Sequence, residues 1–306
     1  HDNLTAQVVD SHKAKGEIFI PKSVFYDSKE YIITSIKDGA FKGNFKLKLI
    51  CFAEDSEINS IGKEAFAFCP LISFVFPKKV NQIQKHTFYS CKELTTLEIA
   101  EDSSIQSIQE YAFSKSGIES IIFSSNIAIL EEGWCSNTQK LTKIIIPPTN
   151  PHFCYLDSEQ KLLCGKTSPE LNYFNSLLFG SRDIKNVIIP SNIEYIGPYS
   201  FYQCSNLESI QLNDDSRLIS IEKYAFSETS LKNIYLPPLL QKLGECCFLK
   251  SNLTNIMISP CNQHFFFMDQ KIIIGKSNPG SQEFDEIVFA LGNIDKVIIP
   301  SFIKRI

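Results

Sequence analysis

The chain has 306 residues, of which 43% are apolar, and a formal net charge of −4. That mildly acidic balance argues against nucleic-acid and membrane-surface partners, both of which call for a basic patch. No run of 18 apolar residues occurs, so no membrane-spanning helix is expected within this stretch.

Residues 1–32 read as an entry segment with strand character. From residue 33 one frame recurs, and 33–149 reads as a first block of coils. Ile58 opens INSIGKEAFAFCPLISFVFPKK, Val80 opens VNQIQKHTFYSCKELTTLEIAEDSS, and Ile105 opens IQSIQEYAFSKSGIESIIFSSN. Residues 150–192 break the frame as an island. The frame returns over 193–261, where Ile193 opens IEYIGPYSFYQCSNLESIQLNDDSR and Leu218 opens LISIEKYAFSETSLKNIYLPP. Weaker copies start near Ile33, Ile127 and Leu240. A second island and a truncated coil fill 262–306. The chain opens on His1 rather than Met and closes in mid-frame, so it is expected to be a piece of a longer protein. No charged stretch followed by an apolar run opens it, so no signal segment is expected within it.

The shared frame is I-x-x-I-x-x-x-A-F-x-x-C-x-x-L-x-x-I-x-[ILF]-[PSA]. Its L-x-x-I-x-[IL] piece ends in an apolar pair two apart, the strand period. Such short pieces are unstable alone but stack coil on coil into a parallel sheet with a continuous core. Phe41, Phe66, Phe88, Phe113, Phe201, Phe226 and Phe248 are expected to form an interior stack. The residues before the Ala are turn-like and should lie on the convex side. Pro77, Pro147, Pro190, Pro237 and Pro300 lack an N–H and should mark strand ends. The expected fold is a leucine-rich-repeat solenoid of roughly 22–26-residue coils. It would carry a parallel sheet on its concave face and short turns or single helical turns on its convex face. The five segments would form one continuous solenoid.

The islands open NPHFCYLD at Asn150 and NQHFFFMD at Asn262. Phe153–Asp157 with Lys161–Lys166, and Phe265–Asp269 with Lys271–Lys276, read as β-hairpins. Each is followed by a strand, Ile184–Ile189 or Ile294–Ile299. Gly133-Trp134-Cys135 and Cys246-Cys247-Phe248 depart from the frame, and local distortion is expected there.

The frame resembles the BspA-type leucine-rich repeats, also called the Treponema pallidum class. The islands resemble those of the BspA-like surface proteins of trichomonad parasites. The resemblance covers roughly residues 17–306. It implies a cell-surface or secreted protein that binds host matrix or other cells, with no catalytic activity in the repeats. Fold alone does not fix function.

Ten cysteines invite a disulfide framework in a secreted chain. Cys69, Cys91 and Cys204 nevertheless share one inward frame position and read as small buried residues. No CxxC or zinc-finger spacing exists, so no metal or cofactor is expected. His152 and His264 each precede an Asp by five positions, Asp157 and Asp269. The pairing admits acid–base work, but no nucleophile matches in both copies, so a turn residue and a hairpin cap are expected. The acidic stretches 53–57, 100–104 and 213–217 offer Ca²⁺ ligands on one reading and turn residues on the other. Asn3 and Asn252 sit in glycosylation sequons.

The outward position of the strand piece runs Val75, Glu98, Ile122, Ile145, Ile188, Gln211, Tyr235, Met257 and Ile298. Beside it runs a polar column: Ser73, Thr96, Ser120, Lys143, Asn186, Ser209, Asn233, Asn255 and Lys296. An exposed apolar stripe marks a contact site; plain β-propensity explains the same residues. The expected partner is a protein ligand on the concave face, and the expected role is non-enzymatic binding or adhesion. An intracellular scaffold built on the same repeat is the alternative.

Overall fold

Each repeat contains two short extended pieces joined by a run of turns, and each kind of piece stacks on its own kind. A computed structural model describes residues 4–10, 13–277, 280, 282–292 and 296–306. The chain divides into two compact units, His1–Cys154 and Tyr155–Ile306. Among the described residues there is no helix. The L-x-x-I piece forms a broad sheet and the I-x-x-I piece a second, back sheet.

In the first unit the broad sheet runs through Gly16–Ile20, Leu47–Phe52, Ser73–Val75, Thr96–Glu98, Ser120–Ile122 and Lys143–Ile145. Gly16–Ile20 pairs parallel with Leu47–Phe52, Ser73–Val75 with Thr96–Glu98, and Ser120–Ile122 with Lys143–Ile145. Burial alternates along each strand: Phe74, Leu97, Ile121 and Ile144 face inward between exposed or half-exposed neighbours. The back sheet holds two-residue strands, with Gln82–Ile83, Ser107–Ile108 and Ile129–Leu130 side by side and parallel. At its start Thr5–Val8 pairs parallel with Lys29–Ile36, which also forms an antiparallel hairpin with Ser23–Tyr26. The entry segment therefore supplies strands to both sheets.

Between the sheets the chain makes consecutive β-turns. In one coil the N–H groups of Ala40, Lys42 and Asn44 bond the carbonyls three residues back. The alternate N–H groups, of Gly39, Phe41 and Gly43, donate to Lys63, Ala65 and Ala67 in the next coil at 2.8 Å each. This pattern needs a left-handed residue on either side of the Phe. Gly39 and Gly43 supply it in this coil, and Glu64 with Phe68, His86 with Ser90, and Tyr111 with Lys115 supply it in the next ones. The single helical turns admitted by the sequence are thus stacked β-turns. A helical turn would direct its N–H groups along its own coil; here every second one is spent on the neighbour.

The core follows from this stacking. Phe41, Phe66, Phe88 and Phe113 lie face to face at 5.1, 5.5 and 5.6 Å between ring centres. All four are buried, each contributing roughly 1.5–3 kcal/mol of apolar transfer. Ala65 and Ala112 fill the small position beside them. Trp134 and Cys135 reverse the order of sizes, yet the coil is undistorted: Phe113 N–H still bonds Trp134 O at 2.8 Å. Trp134 turns its ring edge to Phe113, and the smaller Cys135 leaves it room. Gly133 fits there because a Cβ would stand 2.5 Å from the Tyr111 ring, while its φ of +60° is one that Glu64, His86 and Tyr111 share in other coils.

The second unit repeats the plan. Phe201, Phe226 and Phe248 stack at 5.0 and 5.8 Å. Cys247 takes the small buried position, so the Cys246-Cys247-Phe248 coil also keeps its geometry. Broad-sheet strands are Asn186–Ile188 with Ser209–Gln211 and Asn233–Leu236 with Asn255–Ile258. The back sheet holds Ser176–Gly180, Tyr195–Ile196, Ser220–Ile221 and Lys242–Leu243, all parallel. Each island is richer than the expected hairpin. Leu162–Gly165 pairs antiparallel with Ser176–Gly180, and Ile272–Gly275 pairs antiparallel with both Phe266–Met268 and Glu286–Ala290. The strand expected at 294–299 falls partly outside the described residues, and 296–299 is not a strand.

Candidate interaction surface

The outward column is built by strand register. In the first unit Val75 stands opposite Glu98 and Ile122 opposite Ile145. Val75 is 52% exposed, Ile122 45% and Ile145 39%. The column extends one strand pair further than the sequence suggested. Phe19 stands opposite Cys51, and the Ile72 N–H bond to Lys48 O sets Cys51 beside Val75. Phe19 is 62% exposed and Cys51 is exposed. Their signal lay in the alternation of GEIFI, which no A-F pair precedes, and of LKLICF, which follows Ala40-Phe41. A cavity of about 520 Å³ adjoins Cys51 and Val75, with Leu49, Phe52 and Pro77 in its wall.

In the second unit Ile188 is 62% exposed opposite Gln211, and Met257 is 53% exposed opposite Tyr235. Tyr235 is half-buried, and its hydroxyl donates to the Asp214 carboxylate. Burial pushes its phenol above the usual range. Ile298 is exposed but belongs to no strand, so no ladder joins it to the column. The polar column is exposed throughout except for Ser73, which is half-buried.

The other candidates resolve into structure. The frame cysteines are hydrogen-bond donors: Cys69 Sγ reaches Phe41 O at 2.9 Å and Cys91 Sγ reaches Phe66 O at 3.0 Å. Burial pushes the Cys69 thiol up to about 12, and raises Cys91 and Cys247 further. Asn44, Ser116, Thr138 and Thr229 hold the same buried frame position; Asn44, Thr138 and Thr229 also bond a carbonyl there, whereas the Ser116 hydroxyl does not. Among the acidic stretches, Asp55 pairs with Lys22, Glu57 with Lys79 and Asp102 with Lys78. Ser56, Ser103 and Ser216 close the turns by accepting from Ile58, Ile105 and Leu218 N–H.

In the islands the polar work falls on a residue the sequence did not single out. Asn150 Oδ1 accepts from the N–H of His152 (2.8 Å) and Phe153 (3.3 Å), and its Nδ2 donates to Ser124 O and Ile127 O. Asn262 does the same for His264, Phe265, Pro237 O and Leu240 O. Asp157 caps its hairpin through the N–H groups of Lys161 and Leu162 at 2.8 Å. Burial lowers the His264 imidazole below its ordinary value, with Lys276 adding to the effect. The Asn3 sequon lies outside the described residues. No helix among the described residues is long and apolar enough to cross a membrane.

Parallel strands recurring once per coil, with aromatic and aliphatic ladders inside, define a leucine-rich-repeat solenoid in each unit. The chain belongs to the BspA-type leucine-rich repeat family, whose model matches residues 34–155, 172–267 and 215–306 in six copies. Among solved structures it is similar to the pneumococcal vaccine antigen PcpA, with a TM-score of 0.68 and 18% identity over 84% of this chain and 76% of that one. A leucine-rich repeat protein of Bacteroides ovatus gives 0.57 and 23% identity, over 79% of this chain and 59% of that one. One from Eubacterium ventriosum gives 0.51 and 18%, over 81% and 55%. None of the curated proteins matches the sequence.

Proposed function

We propose that this chain is a non-enzymatic protein-binding module of a cell-surface or secreted protein, with its ligand on the outward face of the broad sheet. The observation that carries this reading is the column of exposed apolar side chains, from Phe19 to Ile145 in one unit and from Ile188 to Met257 in the other. A solvent-facing sheet position gains nothing from apolar character except β-propensity, whereas a ligand gains buried area. Solenoids present such sheets as extended binding surfaces. The antigen name of one structural relative and the family itself favour a surface location.

The test is binding of the purified chain to immobilised extracellular-matrix extract and to whole host cells. Ile145→Glu with Ile188→Glu should weaken capture at least about tenfold, the equivalent of 1.4 kcal/mol, with unchanged circular dichroism. Equal capture would remove this face from the case.

A second reading, an intracellular scaffold, is favoured by one observation: Cys51, Cys69, Cys91, Cys204, Cys246, Cys247 and Cys261 are free thiols. Free thiols persist in reducing compartments. Counting reactive thiols on protein from its native source separates the two.

A further inference from the structure

The back sheet, rather than the broad one, carries a second feature. In a parallel ladder each strand satisfies the free side of the one before it. In the second unit Ile219 O accepts from the N–H groups of Gln241 (2.8 Å) and Lys242 (3.2 Å), and Ile221 O accepts from Gly244 N–H (2.7 Å). One coil later the succession stops. Among the described residues, Gln241 O, Leu243 N–H and Leu243 O have no partner. There Asn262 Nδ2 donates to Pro237 O and Leu240 O, just ahead of the open strand, and the chain passes into the island. The island strands Phe266–Met268, Ile272–Gly275 and Glu286–Ala290 pair among themselves and not with Lys242–Leu243.

The open edge borders a cleft of about 670 Å³. Gln241, Lys242 and Leu243 line it together with Ser220 of the preceding strand and His264 and Val288 of the island. The first unit repeats the arrangement. Gln106 O accepts from Ala128 and Ile129 N–H at 2.9 and 3.2 Å, and Ile108 O accepts from Glu131 N–H at 2.9 Å. Among the described residues the equivalent groups of Ala128 and Leu130 have no partner, Asn150 makes the equivalent cap, and Gln106, Ile129 and His152 line a cleft of about 540 Å³. An unpaired strand edge is a template for another chain.

We propose that these two edges are peptide-binding sites that accept an extended segment as an added parallel strand. The edge offers acceptor, donor and acceptor in sequence, at Gln241 O, Leu243 N–H and Leu243 O. A docked residue placed opposite Lys242 would donate its N–H to Gln241 O and accept from Leu243 N–H, and the residue two further on would donate to Leu243 O. Affinity then comes from the peptide backbone, and the cleft walls select side chains. This site is independent of the broad-sheet column.

The probe is the synthetic heptapeptide RLISIEK, residues 217–223 of this chain, whose Ser220–Ile221 pairs in this way with Tyr195–Ile196. It carries a photoreactive group and is added to the full chain. Crosslinks should map to 241–245 and 128–131. In the native ladder Ile219 and Ser220 N–H share Glu194 O and Glu222 N–H bonds Ile196 O, so N-methylation of the peptide at both its Ile219 and Ser220 positions, or at its Glu222 position, should weaken binding about tenfold, the worth of one hydrogen bond. N-methylation at its Ile221 position, which faces away, should change it less than about twofold on the same scale. Three results would each overturn the proposal: no crosslink at concentrations on the order of 1 mM, crosslinks elsewhere, or equal binding of all three methylated peptides.

Discussion

Asn150 and Asn262, 112 positions apart in the sequence, make the same four hydrogen bonds, each donating twice to carbonyls of the preceding coil and accepting twice from the island that follows. Each stitches a repeat to the segment that interrupts it. Asn150 is 7% exposed and Asn262 is less buried. Asn150→Ala leaves buried carbonyls and N–H groups without partners and should cost about 2–4 kcal/mol. Asn262→Ala should cost less. Asn150→Asp keeps the acceptor but turns the donor into an anion facing Ser124 O and Ile127 O, and should be at least as damaging. Urea unfolding of the three variants checks the order.

The aromatic ladder makes a second prediction. Phe66 is stacked between Phe41 and Phe88 and is fully buried. Phe66→Ala should cost roughly 3–5 kcal/mol, and Phe226→Ala the same in the other unit. Hydrogen exchange should show each loss confined largely to the neighbouring coils, because a solenoid is stabilised by nearest neighbours.

Gly133 and Tyr111 test local fit. Gly133→Ala places a Cβ against the Tyr111 ring at a left-handed φ, and should cost about 1–3 kcal/mol. Adding Tyr111→Ala removes the clash but not the backbone strain. The double variant should therefore recover part of the loss beyond additivity, as thermal unfolding of all three would show.

The buried thiols set an alkaline limit. Burial raises the Cys69 thiol from its ordinary value near 9 to about 12, so the folded state prefers the protonated form. That contribution is complete below pH 9 and is lost as pH rises from 9 towards 12. Cys91 and Cys247 act in the same direction. The unfolding midpoint should fall across this window, and Cys69→Ser, which keeps a donor for Phe41 O but does not titrate, should flatten the fall. At neutral pH a thiol reagent should label the exposed Cys51 and Cys261 first.

Period and residue type alone determined the repeat, the inward Phe ladder and the outward column, because both depend on spacing along a strand and each coil repeats the same spacing. Val75, Ile122, Ile145, Ile188 and Met257 stand where their spacing from the inward residues puts them. Tertiary structure decided the rest. Two-residue strands such as Ser107–Ile108 have no readable period and become a sheet only through bonds to neighbouring coils. Left-handed turns fall on Glu64, Phe68 and Tyr224, residues with no intrinsic preference for them, because bonds to the next coil hold them there. The His-Asp pairs of the islands drew attention by chemical type, yet Asn150 and Asn262 carry the hydrogen bonds, a role that exists only once the preceding coil's carbonyls are in place. Local spacing is a property of the chain; a hydrogen-bond partner twenty or more residues away is a property of the fold.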